Sequence, residues 1–497
     1  MIRAVFWSVF FVSAVNAILF AYSVASPLVA NDSWYVLETF VERYYAYQLD
    51  ITDFFAKRSV SDHAQPVQKL FFLWNLRLFG LDFTVEALVG VAFALCATLA
   101  AFAYAPRVAM LGDKPRIGPA LGYLCCVIAL PATILSIGVS QVFSWSLVTL
   151  GYMLVPLALL FFHVGAGVLV GKRPGWILSL VAFISAVVLD NLALVFLSGF
   201  IFVCALAALL SRDWKRCAFP ALYAAMGCAS YDLLLQPILT PEIMAGGNER
   251  SGLEFVLGSL NETWKLVWYP ARLMTVSSEQ VQLPGSMLEM AAPVLAGLLI
   301  VAHILFWLRT FPALAGKKQP HAIAAAGMVV SFYGVIMALM VLRIQIDGFE
   351  YLMQPRYYVS YLLGLLPILL SGAWLFVTNE AGDSTFMKKL NWVYGASAAL
   401  LAIGLCMVQP LMALNSWERY KYISEYTRNT ALQIGRLSDD PQSKSACADI
   451  ITICDIDPVR KKRIVSILER HQLNVFNPSF QMRHRLYPRE RDDGTAH

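Results

Sequence analysis

The sequence predicts an all-α polytopic membrane protein of about eleven transmembrane helices. Interfacial helices are expected in its first outer loop, and a small α/β extramembrane domain at its C-terminal end. Three observations carry this. Hydrophobic residues make up 58% of the chain and charged residues only 14%, against about 25% charged in ordinary soluble domains. Apolar windows of about 20 residues recur along the chain, and mean hydropathy is +0.62. The Lys and Arg residues collect in every second short connector, the distribution of cytoplasmic loops. The net charge of +5 therefore reflects topology, and no nucleic-acid partner is expected.

The first span is read over residues 4–24, after Arg3. Small residues follow it at Ala25, Ser26 and Ala30, so a signal peptide is the competing reading. Its apolar run is long for one and favours a retained anchor. Residues 31–83 form a polar, aromatic loop. Trp34, Leu37, Val41, Tyr44 and Gln48 fall at helical spacing, with Glu38 and Glu42 on another face. A second segment opens at Pro66, a favoured first-turn residue. Val67, Leu70, Phe71, Trp74 and Leu78 give it an apolar stripe, and Gln68 and Asn75 a polar one. It lies either in the membrane interface or against the bundle.

Further spans are expected at about 84–104, 118–138 and 145–170. Residues 176–210 are too long for one helix, and Asp190-Asn191 divides them into two spans with a tight turn. The next is about 217–235, and a second long loop covers 236–286. Spans at about 288–308, 322–342, 358–377 and 392–412 follow, with a short connector at 343–357. If the N-terminus is cytoplasmic, the Lys/Arg-rich loops share the cytoplasm. Loops 31–83, 236–286 and 343–357 and the tail then share the outer face. This is the topology of a multi-pass inner-membrane protein with a periplasmic C-terminal domain.

The transmembrane domain is taken as residues 1–412 and the tail as 413–497. In the tail, residues 416–437 read as a helix with Ser416 near its start. Ala448–Asp455 reads as a short β-rich run, and a helix then runs from Pro458 to about His471, capped by Asp457. The stretch from Arg483 onward reads as disordered. Seven of the nine cysteines lie in or beside apolar segments. The other two, Cys447 and Cys454, sit in the tail, where a disulfide is one of two open outcomes. No Cys–His spacing fits a zinc site, and no phosphate-binding glycine motif occurs.

Three motifs resemble a known family. Asn31-Asp32-Ser33-Trp34 stands where span one exits. The segment Asp62–Gly80, DHAQPVQKLFFLWNLRLFG, opens a second interfacial helix and ends Leu-Phe-Gly. Pro355–Tyr361, PRYYVSY, opens a late span. Together with the loop arrangement, they resemble the GT-C superfamily of integral-membrane glycosyltransferases, which includes protein O-mannosyltransferases and aminoarabinose transferases. Where that family has His-Pro-Pro, this chain has His63-Ala64-Gln65-Pro66. Asp32-Ser33 replaces a common Asp-Glu pair. The resemblance implies transfer of a sugar from a polyprenyl-phosphate donor to an envelope acceptor (lipid, polysaccharide or protein) at the outer leaflet. No cofactor is firmly implied, though a divalent cation is a possibility the residues leave open.

Such chemistry needs a base for the acceptor and a cation for the leaving phosphate. Asp32 suits the first role, with Asp62 and His63 the next candidates. Arg356 suits the second, because guanidinium matches phosphate oxygens in pairs, and Arg343 and Lys69 are weaker versions of the same idea. Tyr357, Tyr358, Trp34 and Tyr35 are placed to hold a sugar. Each has a plainer reading. Asp32 could end a helix in water, Asp62-His63 could be a loop pair, and Arg356 could be an interfacial anchor. Glu38 and Glu42 read as a solvated face, and Asp190 as a turn residue. An O-antigen polymerase or ligase and a lipid-linked-sugar flippase or transporter are the alternatives. A transporter is expected to show internal repeats and broken helices near the midplane; this sequence shows no convincing repeat, and its charges concentrate at one membrane face.

Overall fold

The structure is a computed structural model that describes residues 2–30, 33–57, 64, 66–107, 117–145, 150–239, 252–280, 286–316, 319–378, 385–440, 442 and 458–486. Among the described residues every regular element is helical and none is a strand. Ten helical stretches are long and apolar enough to cross a membrane. In chain order the helices are α1 (Ile2–Val24), α2 (Ile51–Phe55), α3 (Pro66–Phe79), α4 (Phe83–Tyr104) and α5 (Ile117–Ile134). They continue with α6 (Ser140–Ser144), α7 (Leu154–Leu169), α8 (Gly175–Leu189), α9 (Leu192–Ser211) and α10 (Trp214–Ala229). Next come α11 (Lys265–Thr275), α12 (Met287–Gly316), α13 (Pro320–Leu342), α14 (Tyr358–Thr378) and α15 (Thr385–Arg419), then α16 (Ile423–Asp439) and α17 (Pro458–Arg470).

The ten spanning stretches are α1, α4, α5, α7 with the turn before it, α9, α10 with its continuation to Leu239, α12, α13, α14 with the turn before it, and α15. The apolar α8, 15 residues long, falls just below spanning length. The expected division of 176–210 is thus present, with its turn at Asp190-Asn191. These helices are apolar around most of their circumference, as rods in lipid are. Phe11, Val12, Phe202, Leu209 and Leu234 stay exposed on their outer faces.

α14 is the central rod and packs on α5, α13 and α15, while α8 packs on α10 and α9 on α13. Small residues permit the closest crossings, as between membrane helices generally. A Cβ on Gly227 of α10 would lie 2.2 Å from the Ser179 carbonyl of α8, so only glycine allows that approach.

Several expectations are corrected. The third span stops at Ile134, and residues 135–139 leave the helix before α6 begins. Ser416 does not start a tail helix. It lies in the last turn of α15, where its hydroxyl donates to the Ile137 carbonyl at 2.8 Å. A turn at Tyr420–Tyr422 separates it from α16. The stretch from Arg483 is ordered at its beginning, since Leu486 is buried and His484 packs on Phe480. The β-rich run 448–455, Asp457, Cys447 and Cys454 lie outside the described residues. The seven other cysteines are free thiols.

In α3, the buried residues include Gln68, Asn75, Phe72 and Leu76, whereas Leu70, Trp74 and Leu78 are exposed. The polar stripe therefore faces protein and the apolar stripe faces outward, the orientation of an interfacial helix. Asn75 explains the inversion. Its side-chain amide donates to Glu86 at 2.8 Å and accepts from the Asp82 backbone at 3.0 Å. It thereby closes the corner between α3 and α4, where Gly80 and Leu81 both take positive φ.

Candidate functional site

The loops and the tail meet on one face of the bundle. In the first loop, Ser33–Val36 runs through a π-helical turn at Leu37–Val41 into Glu42–Tyr45. Glu38, expected in solvent, is buried in that turn. It pairs with Arg460 at 2.6 Å and with Arg463, both from α17. Asp82 likewise holds Arg483 at 3.0 Å and lies 2.7 Å from His484 Nε2. Asn474 donates to the carbonyls of Pro27 and Leu81, and Tyr45 stacks on His471 at 3.6 Å. Burial of an unpaired carboxylate is costly, so these acids place the tail as surely as its apolar core does.

The second loop joins the same face. Glu279 accepts from Ser140 of α6 at 2.6 Å and pairs with Arg419 at 3.8 Å. Burial pushes its carboxyl above the usual glutamate range, partly offset by Ser140 and Arg419. Gln280 donates to the Gly138 carbonyl at 2.8 Å and to the Ser416 hydroxyl at 2.9 Å. Residues 135–139, which left α5 early, are thus fixed by the second loop and by the end of α15. Tyr269 of α11 donates to Glu350 at 2.6 Å, which ties the second loop to the 343–357 connector.

Arg356 stands in the short helical turn Pro355–Tyr357 that leads into α14. Pro355 starts that turn with its φ preset. The guanidinium lies 5.3 Å from the centroids of both Tyr351 and Tyr357 and donates to the Tyr351 hydroxyl at 2.7 Å. Its Nε is buried without a hydrogen-bond partner among the described residues. The described residues give it no carboxylate in ion-pair contact. Arg343, which follows α13, lies within electrostatic range of Tyr357. α6 packs against both α1 and this turn, placing the Arg356 site one short helix from the first span. The Arg356 guanidinium thus keeps a donor free for a charge-assisted hydrogen bond, and its position is held by the two aromatic rings.

A second polar centre was not legible as such. Asp190 has φ +50 and ψ −131, a conformation that a residue with a side chain rarely adopts. Its carboxylate is closed to solvent. Oδ2 takes Lys57 Nζ at 2.7 Å and the Ala64 amide at 3.0 Å, and Oδ1 takes the Tyr231 hydroxyl at 3.0 Å. Lys57 and Ala64 bound the segment that carries Asp62 and His63. One buried carboxylate thus pins both ends of that segment to the α8–α9 turn. The available signal was an acid in the middle of an apolar run, a placement that membranes penalise.

The candidate residues fall into separate places. Asp32, Asp62 and His63 lie outside the described residues. Arg356 and Tyr357 come together, with Arg343 within electrostatic range of Tyr357. Tyr358, beside them in sequence, points elsewhere. It is buried, and its hydroxyl donates to the Thr133 carbonyl at 2.7 Å. Trp34 is fully buried in the cluster shared by the first loop and the tail, and Tyr35 lies under the Arg460 guanidinium. Lys69 donates to the carbonyls of Asp53 and Ala56 at the end of α2, which places its ammonium as a C-terminal helix cap. Asp50 and Asp53 form the capping box at the other end of α2. Among the described residues no group of three or more His, Cys, Asp or Glu side chains could hold a metal ion.

No family model, no curated protein and no solved structure matches this chain.

Proposed function

We propose that this chain is a membrane glycosyltransferase of the GT-C kind. In this reading it moves a hexosyl or pentosyl group from a polyprenyl-phosphate donor to an envelope acceptor, on the outer face of an inner membrane. The observation that carries the reading is Arg356, a cation framed by Tyr351 and Tyr357 with an unused buried Nε. It stands at the start of α14, on the face where the loops gather. In the transfer, the bond from the sugar's anomeric carbon to the phosphate oxygen breaks and a bond to the acceptor forms. The phosphate gains charge as it leaves, which Arg356 and Arg343 would stabilise. Asp32, two residues past Ala30 at the exit of the first span, would take the acceptor's proton.

The test is binding of a radiolabelled polyprenyl phosphate to the purified protein. Arg356→Ala should weaken it about tenfold or more, the range for a lost charge-assisted contact. Unchanged binding would remove the basis of the assignment. A flippase reading differs in its product. It predicts transbilayer movement of the intact donor, where the transferase reading predicts free polyprenyl phosphate and a glycosylated acceptor.

A further inference from the structure

On the face away from the loops, α7, α9 and α12 end around an open depression of about 520 Å³. Lys172 and Arg216 line it, with Ser211, Asp213 and Gly316. Arg216 donates to the Val170 carbonyl at 3.3 Å. It passes beside Gly171, whose φ of +78 is a backbone conformation that favours glycine. Lys172 and Arg216 are exposed, and the described residues give neither a carboxylate in ion-pair contact. Among the described lining residues Asp213 is the one acid, and its Oδ1 is engaged by the Arg216 amide as the cap of α10. Arg173 is excluded, because its guanidinium turns to His163 at 2.9 Å.

The depth of this depression is set by its neighbours. Trp176 and Trp214 are 63% and 57% exposed beside it, where indole marks the headgroup level. Leu209 and Leu210 in the last turn of α9, and Leu308 and Phe311 one to two turns before the end of α12, are exposed apolar side chains on two of the helices that end at the depression.

We propose that this depression holds the phosphodiester headgroup of an anionic phospholipid. Lys172 and Arg216 contact the phosphate, and the acyl chains lie along α9 and α12. The exposed apolar side chains of α9 and α12 favour a lipid over a free phosphate, and basic pockets at helix ends are recognised lipid sites. The proposal is independent of the transferase reading, since it involves neither Arg356 nor the loop face.

The test is native mass spectrometry of the whole protein released from nanodiscs of mixed phosphatidylglycerol and phosphatidylcholine. The unsubstituted protein should retain phosphatidylglycerol. Lys172→Gln and Arg216→Gln should each lower retention about fivefold, following the usual gain per basic residue at an anionic membrane. Arg216→Lys should keep most of it. The control Lys388→Gln with Lys389→Gln, on basic residues outside the depression, should change nothing. Equal loss in that control would overturn the proposal by showing general surface attraction. Displacement of phosphatidylglycerol by excess inorganic phosphate would overturn the lipid assignment in favour of a free-anion site. Failure to retain any anionic lipid would also refute it.

Discussion

Lys57 and Asp190 form an ion pair with 2.7 Å between Nζ and Oδ2, their side chains only 2% and 0% exposed. Three membrane spans and α8 lie between them in sequence. The same carboxylate oxygen takes the Ala64 amide, so a single residue fixes both ends of a six-residue segment. Breaking a buried pair on one side leaves an uncompensated charge, which costs about 3–5 kcal/mol, whereas removing both partners costs less. We predict that Asp190→Ala and Lys57→Met each lower the thermal unfolding midpoint strongly. The double substitution should be less damaging than their sum. Strictly additive effects would show that the two charges do not depend on each other.

On the proposed transferase reading, Asp32 and Arg356 should fail differently. Asp32→Asn keeps size and polarity but removes the base, so turnover should fall by about 100-fold or more with donor binding intact. Arg356→Ala should reduce both binding and turnover, because a contact to phosphate exists before and during the reaction. Arg356→Lys should recover only part of each, since an ammonium cannot form a paired contact. Steady-state kinetics beside direct donor binding separate these cases. Normal turnover in Asp32→Asn would dismiss Asp32 and make Asp62 and His63 the next residues to test.

The tail is held by acids of the first loop. Glu38→Gln and Asp82→Asn remove the buried partners of Arg460, Arg463, Arg483 and His484. We predict faster proteolysis of the tail in each variant, with the membrane helices intact. Arg463→Gln should do less, because its side chain is 57% exposed and screened contacts contribute little. Unaltered cleavage in the Glu38→Gln, Asp82→Asn double variant would mean that apolar packing alone docks the tail.

Glu279 gives a pH dependence of known sign. Burial raises its pKa above the ordinary value, so its ionised form is disfavoured in the folded protein. Its contribution to stability is complete below the ordinary glutamate pKa and is lost as pH rises through the raised one. Glu279→Gln keeps an acceptor for Ser140 without the charge. At neutral pH the variant should unfold at the same temperature as the parent or higher. The difference should vanish in acid, where protonated Glu279 is also neutral. A variant less stable at neutral pH would show that Arg419 outweighs burial.

Orientation has a direct check. Cysteines substituted at Asn248 and Lys114 should be labelled from opposite sides of the membrane, Asn248 from outside, by the Lys/Arg asymmetry. Labelling of Asn248 only from the cytoplasmic side would reverse the topology and move the Arg356 face inside.

The sequence by itself determined what hydropathy and local backbone chemistry control. The long apolar runs specify spanning helices because a backbone in lipid must satisfy its own hydrogen bonds. Asp190-Asn191 marks a break because an acid and an amide are costly within such a run. The Arg356 turn was legible for the same kind of reason, since Pro355 starts a helix and its neighbours in sequence are the aromatic walls. Tertiary structure decided which polar groups become buried, and that depends on partners far along the chain. Glu38 reads as solvated by its spacing from Glu42, yet α17 brings Arg460 and Arg463 to it across more than four hundred residues. Asn75 turns the polar face of α3 inward because Glu86 waits at the corner. Asp190 reads as a turn residue until Lys57, Ala64 and Tyr231 close over it. No local pattern records these encounters, because the energy that buries a charge belongs to the pair.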